Sequence, residues 1–382
     1  KALSSDEFVV HIIVYESPDI AANLTTLNSI AVQDWSSWRV HYLGTNWQEV
    51  QSSLLPEIRS ALQEKTDVAS SLVEILQRVK LDRDYLLGLD SGELLFPFAI
   101  RELIACAETM GSDLVYSDHD TLDSDGIHVD PVFTFSWSPD HVMSRNYVGD
   151  IYLVRAAKIP LDFISACKPL HWRYALLLHL GNHSDKIHRV ASILWSAPPL
   201  PGEILERRLR DESAVIEKYL SRLEPLANLT VVDGQRYIEW PIAGEPRVSI
   251  IIPTMAKLDL IKSCLDSLTA ITAYKNYEIL MLDNSRGRNP EGIAYLHDRK
   301  FEVIECDEAF NWARLNNIGA RHSKADYLLF LNDDIEITDA KRLHELLRHA
   351  MRPEVGTVGG LLLYPNGAIQ HAGVFKIGRA HV

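Results

Sequence analysis

A strand–helix–strand pattern occurs twice in this chain, and that repeat limits its fold more than any other feature. Phe8-Val-Val-His-Ile-Ile-Val-Tyr15 is an apolar run of the kind buried on both faces of a sheet. A segment of helical period follows from Ile20 to Ile30, with Leu24 and Leu27 on one face, then a second run, Trp38-Arg-Val-His-Tyr-Leu43. The order returns in Val248-Ser-Ile-Ile-Ile-Pro-Thr254, a helix carrying Leu265 and Leu268, and Tyr277-Glu-Ile-Leu-Met-Leu-Asp283. Each copy later has a strand that stops at an acidic turn, Tyr85-Leu-Leu-Gly-Leu-Asp90 and Tyr327-Leu-Leu-Phe-Leu-Asn332. The separations agree: 77 residues from Ile13 to Asp90 and 79 from Pro253 to Asn332. Strands alternating with helices predict α/β domains, each with a mostly parallel sheet built from βαβ units.

The turn Asn332-Asp333-Asp334 carries the most chemistry. Ligands of open α/β sheets bind at the carboxyl ends of the strands, which is where this turn falls. Two hard oxygen ligands there suit a Mg²⁺- or Mn²⁺-bound diphosphate better than zinc, which prefers His and Cys. The plain alternative is a strand followed by a solvated acidic turn. A net charge of −14 excludes a general nucleic-acid binder, because there is no basic excess to neutralise phosphates. Cys106, Cys167, Cys264 and Cys306 lack metal-binding spacing and read as reduced thiols of a cytoplasmic protein. The longest apolar runs fall far short of the roughly 20 residues that span a bilayer.

Breakers divide the chain. Ala197-Pro-Pro-Leu-Pro-Gly202 ends the first copy, and a charged helix is expected from about Glu203 to Leu223. A strand pair around the Asp233-Gly234 turn and Ala243-Gly-Glu-Pro246 complete a linker. The expected division is residues 1–200, a helical and strand linker at 201–245, and a second domain at 246–382. That second copy is shorter than the first and is expected to be incomplete. The opening Lys1-Ala-Leu-Ser-Ser, without an initiator Met, reads as a fragment.

Taken in order, these motifs resemble the family 2 glycosyltransferases of GT-A fold, in the tandem-domain form of O-antigen and capsule rhamnosyltransferase-like proteins. Val248–Thr254 resembles the family's first strand and Leu282-Asp283-Asn284-Ser285 the end of its second. Phe310-Asn-Trp-Ala-Arg-Leu-Asn-Asn-Ile-Gly-Ala320 is similar to the helix before the metal site, and Leu331–Ile335 stands at the D-x-D position. Tyr364-Pro-Asn-Gly-Ala-Ile-Gln-His-Ala-Gly373 is similar to a segment of the same subgroup.

The resemblance implies two tandem Rossmann-like GT-A domains and an inverting, metal-assisted hexosyltransferase. Its donor would be a UDP- or dTDP-linked sugar, and its acceptor a saccharide or lipid-linked group. It implies nucleotide contacts from Pro253, Thr254, Asp283, Asn316, Asn332 and Asp333, a metal ligand in Asp334, and a candidate donor-sugar contact in His371. Asn317 would pair with Asn316 on the donor, and Arg314 is a weaker candidate for phosphate. Transfer builds oxocarbenium-like charge while a diphosphate departs, which is why a Mg²⁺ or Mn²⁺ ion is implied as cofactor. Asn332 departs from the family's first Asp, keeping an amide oxygen but no charge. The catalytic base is unassigned and expected beyond Val382, so the piece itself is expected to be inactive. Contact with the inner face of a membrane would come through a lipid-linked acceptor.

The first copy resembles the same family without its polar landmarks. Aligning Trp38 with Tyr277 puts Gly44 where Asp283 stands, and Asp90-Ser-Gly92-Glu93 fills the D-x-D place, with Glu93 a substitute ligand. Val115-Tyr-Ser-Asp-His-Asp120 and Trp137-Ser-Pro-Asp-His-Val-Met-Ser-Arg-Asn-Tyr147 still resemble family segments. Where the family carries its base, His171-Trp-Arg-Tyr-Ala-Leu-Leu-Leu178 has no acid, only His171. The first copy is therefore expected to be a pseudo-enzyme. The alternative for the whole chain is a non-catalytic acceptor-binding or scaffold module. A nucleotidyltransferase is disfavoured because no Gly-rich phosphate loop follows either first strand.

Overall fold

The computed structural model describes residues 8–63, 65–69, 71–80, 82–160, 172–373, 376–377 and 380–381. Glu239–Gly373 form one compact unit, and the chain up to Ile238 makes the body of the other.

The first unit is built on a sheet of nine strands. They are β1 (Val10–Tyr15), β2 (Trp38–Leu43), β3 (Thr66–Ala69), β4 (Tyr85–Asp90), β5 (Leu94–Leu95), β6 (Leu114–Leu122), β7 (His128–Val132), β8 (Tyr152–Arg155) and β9 (Ile187–Ala197). Their order is β3-β2-β1-β4-β8-β6-β9-β5, with β7 on β6. The first four in that order run parallel, and β8 enters antiparallel to both β4 and β6. The β1–β2 crossover is the helix Ile20–Ala31, started by Asp19, whose carboxylate accepts the Ala21 N–H. Its Leu27 and Ile30 pack under Ile12, Val14, Val40 and Tyr42, all fully buried.

After the hairpin β10 (Asn228–Val232) and β11 (Gln235–Glu239), the second unit has β12 (Val248–Thr254), β13 (Tyr277–Asp283), β14 (Glu302–Glu305) and β15 (Tyr327–Phe330). These pair in parallel in the order β14-β13-β12-β15. All seven residues of β12 are buried. Alternation splits them between two layers, Val248, Ile250 and Ile252 meeting Ile261, Leu265 and Leu268, while Ile251 meets Leu280, Leu282 and Leu315. Each such aliphatic side chain removed from water contributes about 1.5–3 kcal/mol. Gly319 lets the helix Trp312–His322 approach this second layer, since a Cβ there would fall 2.5 Å from Ile251 Cγ2. Among the described residues β15 is an edge strand, with Leu328 and Phe330 exposed.

The repeat is a repeat of register. Val10 faces Trp38 and Tyr85, as Val248 faces Tyr277 and Tyr327. This places Gly44 opposite the role of Asp283, as the alignment required. It also corrects the spacing: Pro253 corresponds to Tyr15, not Ile13, so the equivalent separations are 75 residues (Val10 to Tyr85) and 79 (Val248 to Tyr327).

The segment read as a linker differs from a free connection. Its helix, Gly202–Leu223, and its hairpin belong to the first unit. Buried Arg236 of β11 donates to Glu212 Oε2 at 2.8 Å and to the Met143 carbonyl at 2.9 Å. No described helix is long and apolar enough to cross a membrane. Cys106, Cys264 and Cys306 are free thiols, and Cys167 lies outside the described residues.

Candidate functional site

In the second unit the candidate residues gather where β13, β12 and β15 end side by side. Asp283, the last residue of β13, is 8% exposed and pairs in register with Thr254 at the end of β12. Its Oδ1 accepts the Ser285 N–H at 2.8 Å, which fixes the carboxylate at the strand end. Asn284 locks the same loop by donating to the carbonyls of Cys306 (2.6 Å) and Glu308 (2.8 Å). Thr254 is the joint of the site. Its hydroxyl donates to Asp333 Oδ2 at 2.6 Å and accepts the Ala256 N–H at 2.8 Å. The backbone contact expected of Thr254 is thus joined by a side-chain bond to the acidic turn.

The turn itself leaves β15 one residue before Asn332. Asn332 Oδ1 accepts the Trp312 indole N–H at 3.0 Å, and its carbonyl faces the Cys264 thiol at 3.8 Å. Burial, reinforced by Asp333 and Asp334, pushes that thiol up to about 12, so it stays protonated beside the acids. Asp333 is half-buried, whereas Asp334 is exposed. Asp334 makes no side-chain hydrogen bond or ion pair among the described residues. Two carboxylates, one free, fit a divalent ion of the Mg²⁺ type, which is held by one or two protein carboxylates plus phosphate oxygens. The Asn332 amide oxygen is neutral and already engaged, a poorer ligand.

The remaining candidates separate. Asn316 is buried, its amide nitrogen donating to the Trp312 carbonyl at 2.9 Å while Oδ1 is left without a partner. Asn317 is exposed on the same helix, so the two do not act as a side-by-side pair. Arg314 is exposed and donates to Glu308 at 2.9 Å. Pro253 is buried in β12. His371 ends the exposed strand Ile369–His371, paired with Leu362–Leu363, and no hydrogen bond joins it to the carboxylates. Trp312 went unremarked in the sequence; an exposed Trp in the first turn of a polar helix was its signal.

At the same strand ends of the first unit the chemistry is rearranged. The carboxylate missing at Gly44 is replaced from next door: a Cβ on Gly44 would lie 2.0 Å from Glu16 Oε2. Glu16 stands where the second copy has Thr254, and it accepts the Thr45 N–H. The position of Asp283 is thus without an acid, and the carboxylate beside it comes from the neighbouring strand. Gly92, in the place of Asp334, has φ of +105°, a conformation an Asp would adopt only under strain.

The acids near it already have a cation. Arg173 is buried and donates to Asp90 Oδ2 at 2.7 Å, with its other terminal nitrogen 4.0 Å from Glu93 Oε2. Asp90, Glu93 and Asp150 are the one group of three possible metal ligands among the described residues, their oxygens within 4.8 Å of one another. Asp150 in turn meets Arg208 at 2.6 Å, which also holds Glu212 at 3.0 Å. Burial first, then Asp90, pushes Glu93 up to about 8. Glu93, the expected substitute ligand, accepts the Asp90 N–H on Oε2 at 2.7 Å and faces a guanidinium. Sequence reading passed over Arg173, which stands in the first turn of the helix Trp172–His183. His171 lies outside the described residues.

Residues 249–373 match the family described as Glycosyl transferase family 2. The O-antigen biosynthesis protein RfbC of Myxococcus xanthus is 32% identical over 303 residues, covering 76% of this chain and 24% of that protein. The Sinorhizobium fredii protein y4gI is 26% identical over 408 residues, covering 98% of this chain and 44% of its own length. The chain thus spans less than half of either relative. Among solved structures, S. aureus TarS in complex with UDP overlaps 56% of this chain and 71% of its own, at 12% identity and a TM-score of 0.38. Glucosyl-3-phosphoglycerate synthase from Mycobacterium tuberculosis, with Mn²⁺ and UDP, overlaps 62% and 88%, at 15% identity and a TM-score of 0.37.

Proposed function

We propose that the second unit, whose residues 249–373 match Glycosyl transferase family 2, binds the nucleotide-diphosphate sugar of a glycosyl transfer. The observation that carries this reading is the row Asp283–Thr254–Asp333 across three adjacent strand ends. The strands that carry the row, β13 to β15, lie two strand spacings apart, about 10 Å. A nucleoside diphosphate covers such a span from base to phosphates. Asp283 accepts the imino N–H of a uracil or thymine ring. Thr254 holds Asp333 in place, and Asp334 is left as the ligand of a Mg²⁺ or Mn²⁺ ion. When bound, that ion neutralises the departing diphosphate. Asn332 and Asn316 complete the proposed nucleotide contacts. Attack by an acceptor hydroxyl on the face opposite the diphosphate, with inversion, is the mechanism this layout serves. The acceptor proposed is a saccharide or lipid-linked group at the inner face of a membrane.

For the first unit the specific observation is Arg173 seated on the acid cluster, which favours a non-catalytic, acceptor-binding or scaffold role. Calorimetric titration of the chain with UDP or dTDP and Mn²⁺ tests the donor site. We expect metal-dependent binding that falls at least about tenfold in Asp334→Ala and in Asp283→Ala. No binding at any Mn²⁺ concentration would sink the donor reading and leave the scaffold.

A further inference from the structure

We propose that the first unit also holds a nucleoside, of the uracil or thymine type, without a divalent metal, and that Glu16 is the residue that reads its base. This rests on reading Asp283 as the base acceptor of the second unit. The two units share one register, so their strand ends can be compared position by position. In the second unit the pair across β12 and β13 is Thr254 and Asp283; in the first it is Glu16 and Gly44. The acid stands on the neighbouring strand, opposite a residue with no side chain. The exchange is reciprocal in space, since a side chain on Gly44 would begin 2.0 Å from the Glu16 carboxylate. The two acids are fixed alike. Asp283 accepts the N–H of Ser285, two residues on, and Glu16 accepts the N–H of Thr45, the residue after Gly44. A degenerate site under no demand would lose the carboxylate; here an equivalent one is present, half-buried, from a different residue.

The second half of the proposal follows from Arg173. Its guanidinium is 2.7 Å from Asp90 and 4.0 Å from Glu93, within the cluster that includes Asp150. A divalent ion entering there would have to displace a buried, hydrogen-bonded cation. Gly92 cannot be exchanged for the metal-binding Asp without backbone strain. Base recognition by Glu16 is therefore independent of Mg²⁺ or Mn²⁺. Specificity also follows. A uracil or thymine ring offers an imino N–H to a carboxylate, whereas cytosine presents a lone pair at that atom and is repelled.

The test uses the full chain carrying Asp283→Ala and Asp334→Ala, which silences the second unit, titrated with UDP, uridine and CDP in EDTA. We expect one EDTA-resistant site for UDP and uridine, at least about tenfold weaker for CDP, and weakened about tenfold by Glu16→Gln, which keeps the bond to Thr45 but loses the charge. Moving the acid back with Glu16→Thr and Gly44→Asp together should restore binding. Absence of an EDTA-resistant site in a chain with unchanged circular dichroism overturns the proposal, as does binding indifferent to Glu16→Gln. The Mn²⁺-dependent site of the unmodified chain, measured in parallel, reports on the second unit separately, so failure of one reading is distinguishable from failure of the other.

Discussion

The two units carry one register and two opposite electrostatic solutions at their strand ends. In the second, Thr254 steadies Asp333 and leaves Asp334 exposed and without a cation. In the first, Arg173, Arg208 and Arg236 thread through Asp90, Glu93, Asp150 and Glu212, so the acids are neutralised from within. The four parallel strands β3-β2-β1-β4 and β14-β13-β12-β15 share one order, so this βαβ frame sets where a site can be and not what it does. The decision between an open cation seat and a closed one falls on a few side chains beyond the strand ends.

The largest effect should come from removing the internal cation. Arg173→Met leaves Asp90, Glu93 and Asp150 without their shared partner, and breaking a buried pair costs about 3–5 kcal/mol. Because Asp90 is half exposed, the lower end of that range is expected. Urea denaturation should show it, and added Mn²⁺ should recover part of the loss by taking the vacated seat. An unchanged midpoint would mean that the contrast between the units is one of appearance only.

The next effect sharpens the contrast through pH. Glu93 is pushed up to about 8 from an ordinary 4.5. The folded state therefore keeps a proton that the unfolded state gives up, and stability falls as pH rises from 4.5 to 8, with the penalty complete above that. Glu93→Gln mimics the protonated form and retains an oxygen for the Asp90 N–H. It should flatten the pH dependence and raise stability at pH 8 by on the order of 2 kcal/mol. Each tenfold change in proton affinity is worth about 1.4 kcal/mol, and part of the effect is shared with Asp90 and Arg173. Melting curves from pH 5 to 8.5 that run parallel for both proteins would contradict this.

What was legible beforehand follows the same division. The apolar runs at Phe8–Tyr15 and Val248–Thr254 announce buried parallel strands because burial on both faces leaves no polar alternation. The placement of Asp283 and Asp333 at strand ends was legible because each closes an apolar run. Glu16 was not, since its meaning depends on a neighbour 28 positions away, Gly44, lying beside it in space. Arg173 needed a helix packed under β4, and Arg236 a hairpin folded back onto the first unit, contacts that sequence period does not encode. The helix and hairpin of the linker segment were legible from its breakers, but breakers mark where helices and strands stop, not which core they join.

The smallest effect bears on the exchange of acids between strands. Gly44→Asp alone places a second carboxylate against Glu16, where even the Cβ would be 2.0 Å from Oε2. Glu16 is half-buried and can swing partly into solvent, so the cost should be about 1–2 kcal/mol by crowding and like-charge repulsion. The backbone at Gly44 is not in the left-handed region, so conformational strain adds little. Glu16→Thr in the same chain removes the clash and reproduces the Thr–Asp pair of the second unit, and the melting temperature should return to within the scatter of the unmodified protein. Additive destabilisation by the two changes would show that Glu16 and Gly44 are not the two halves of one exchange.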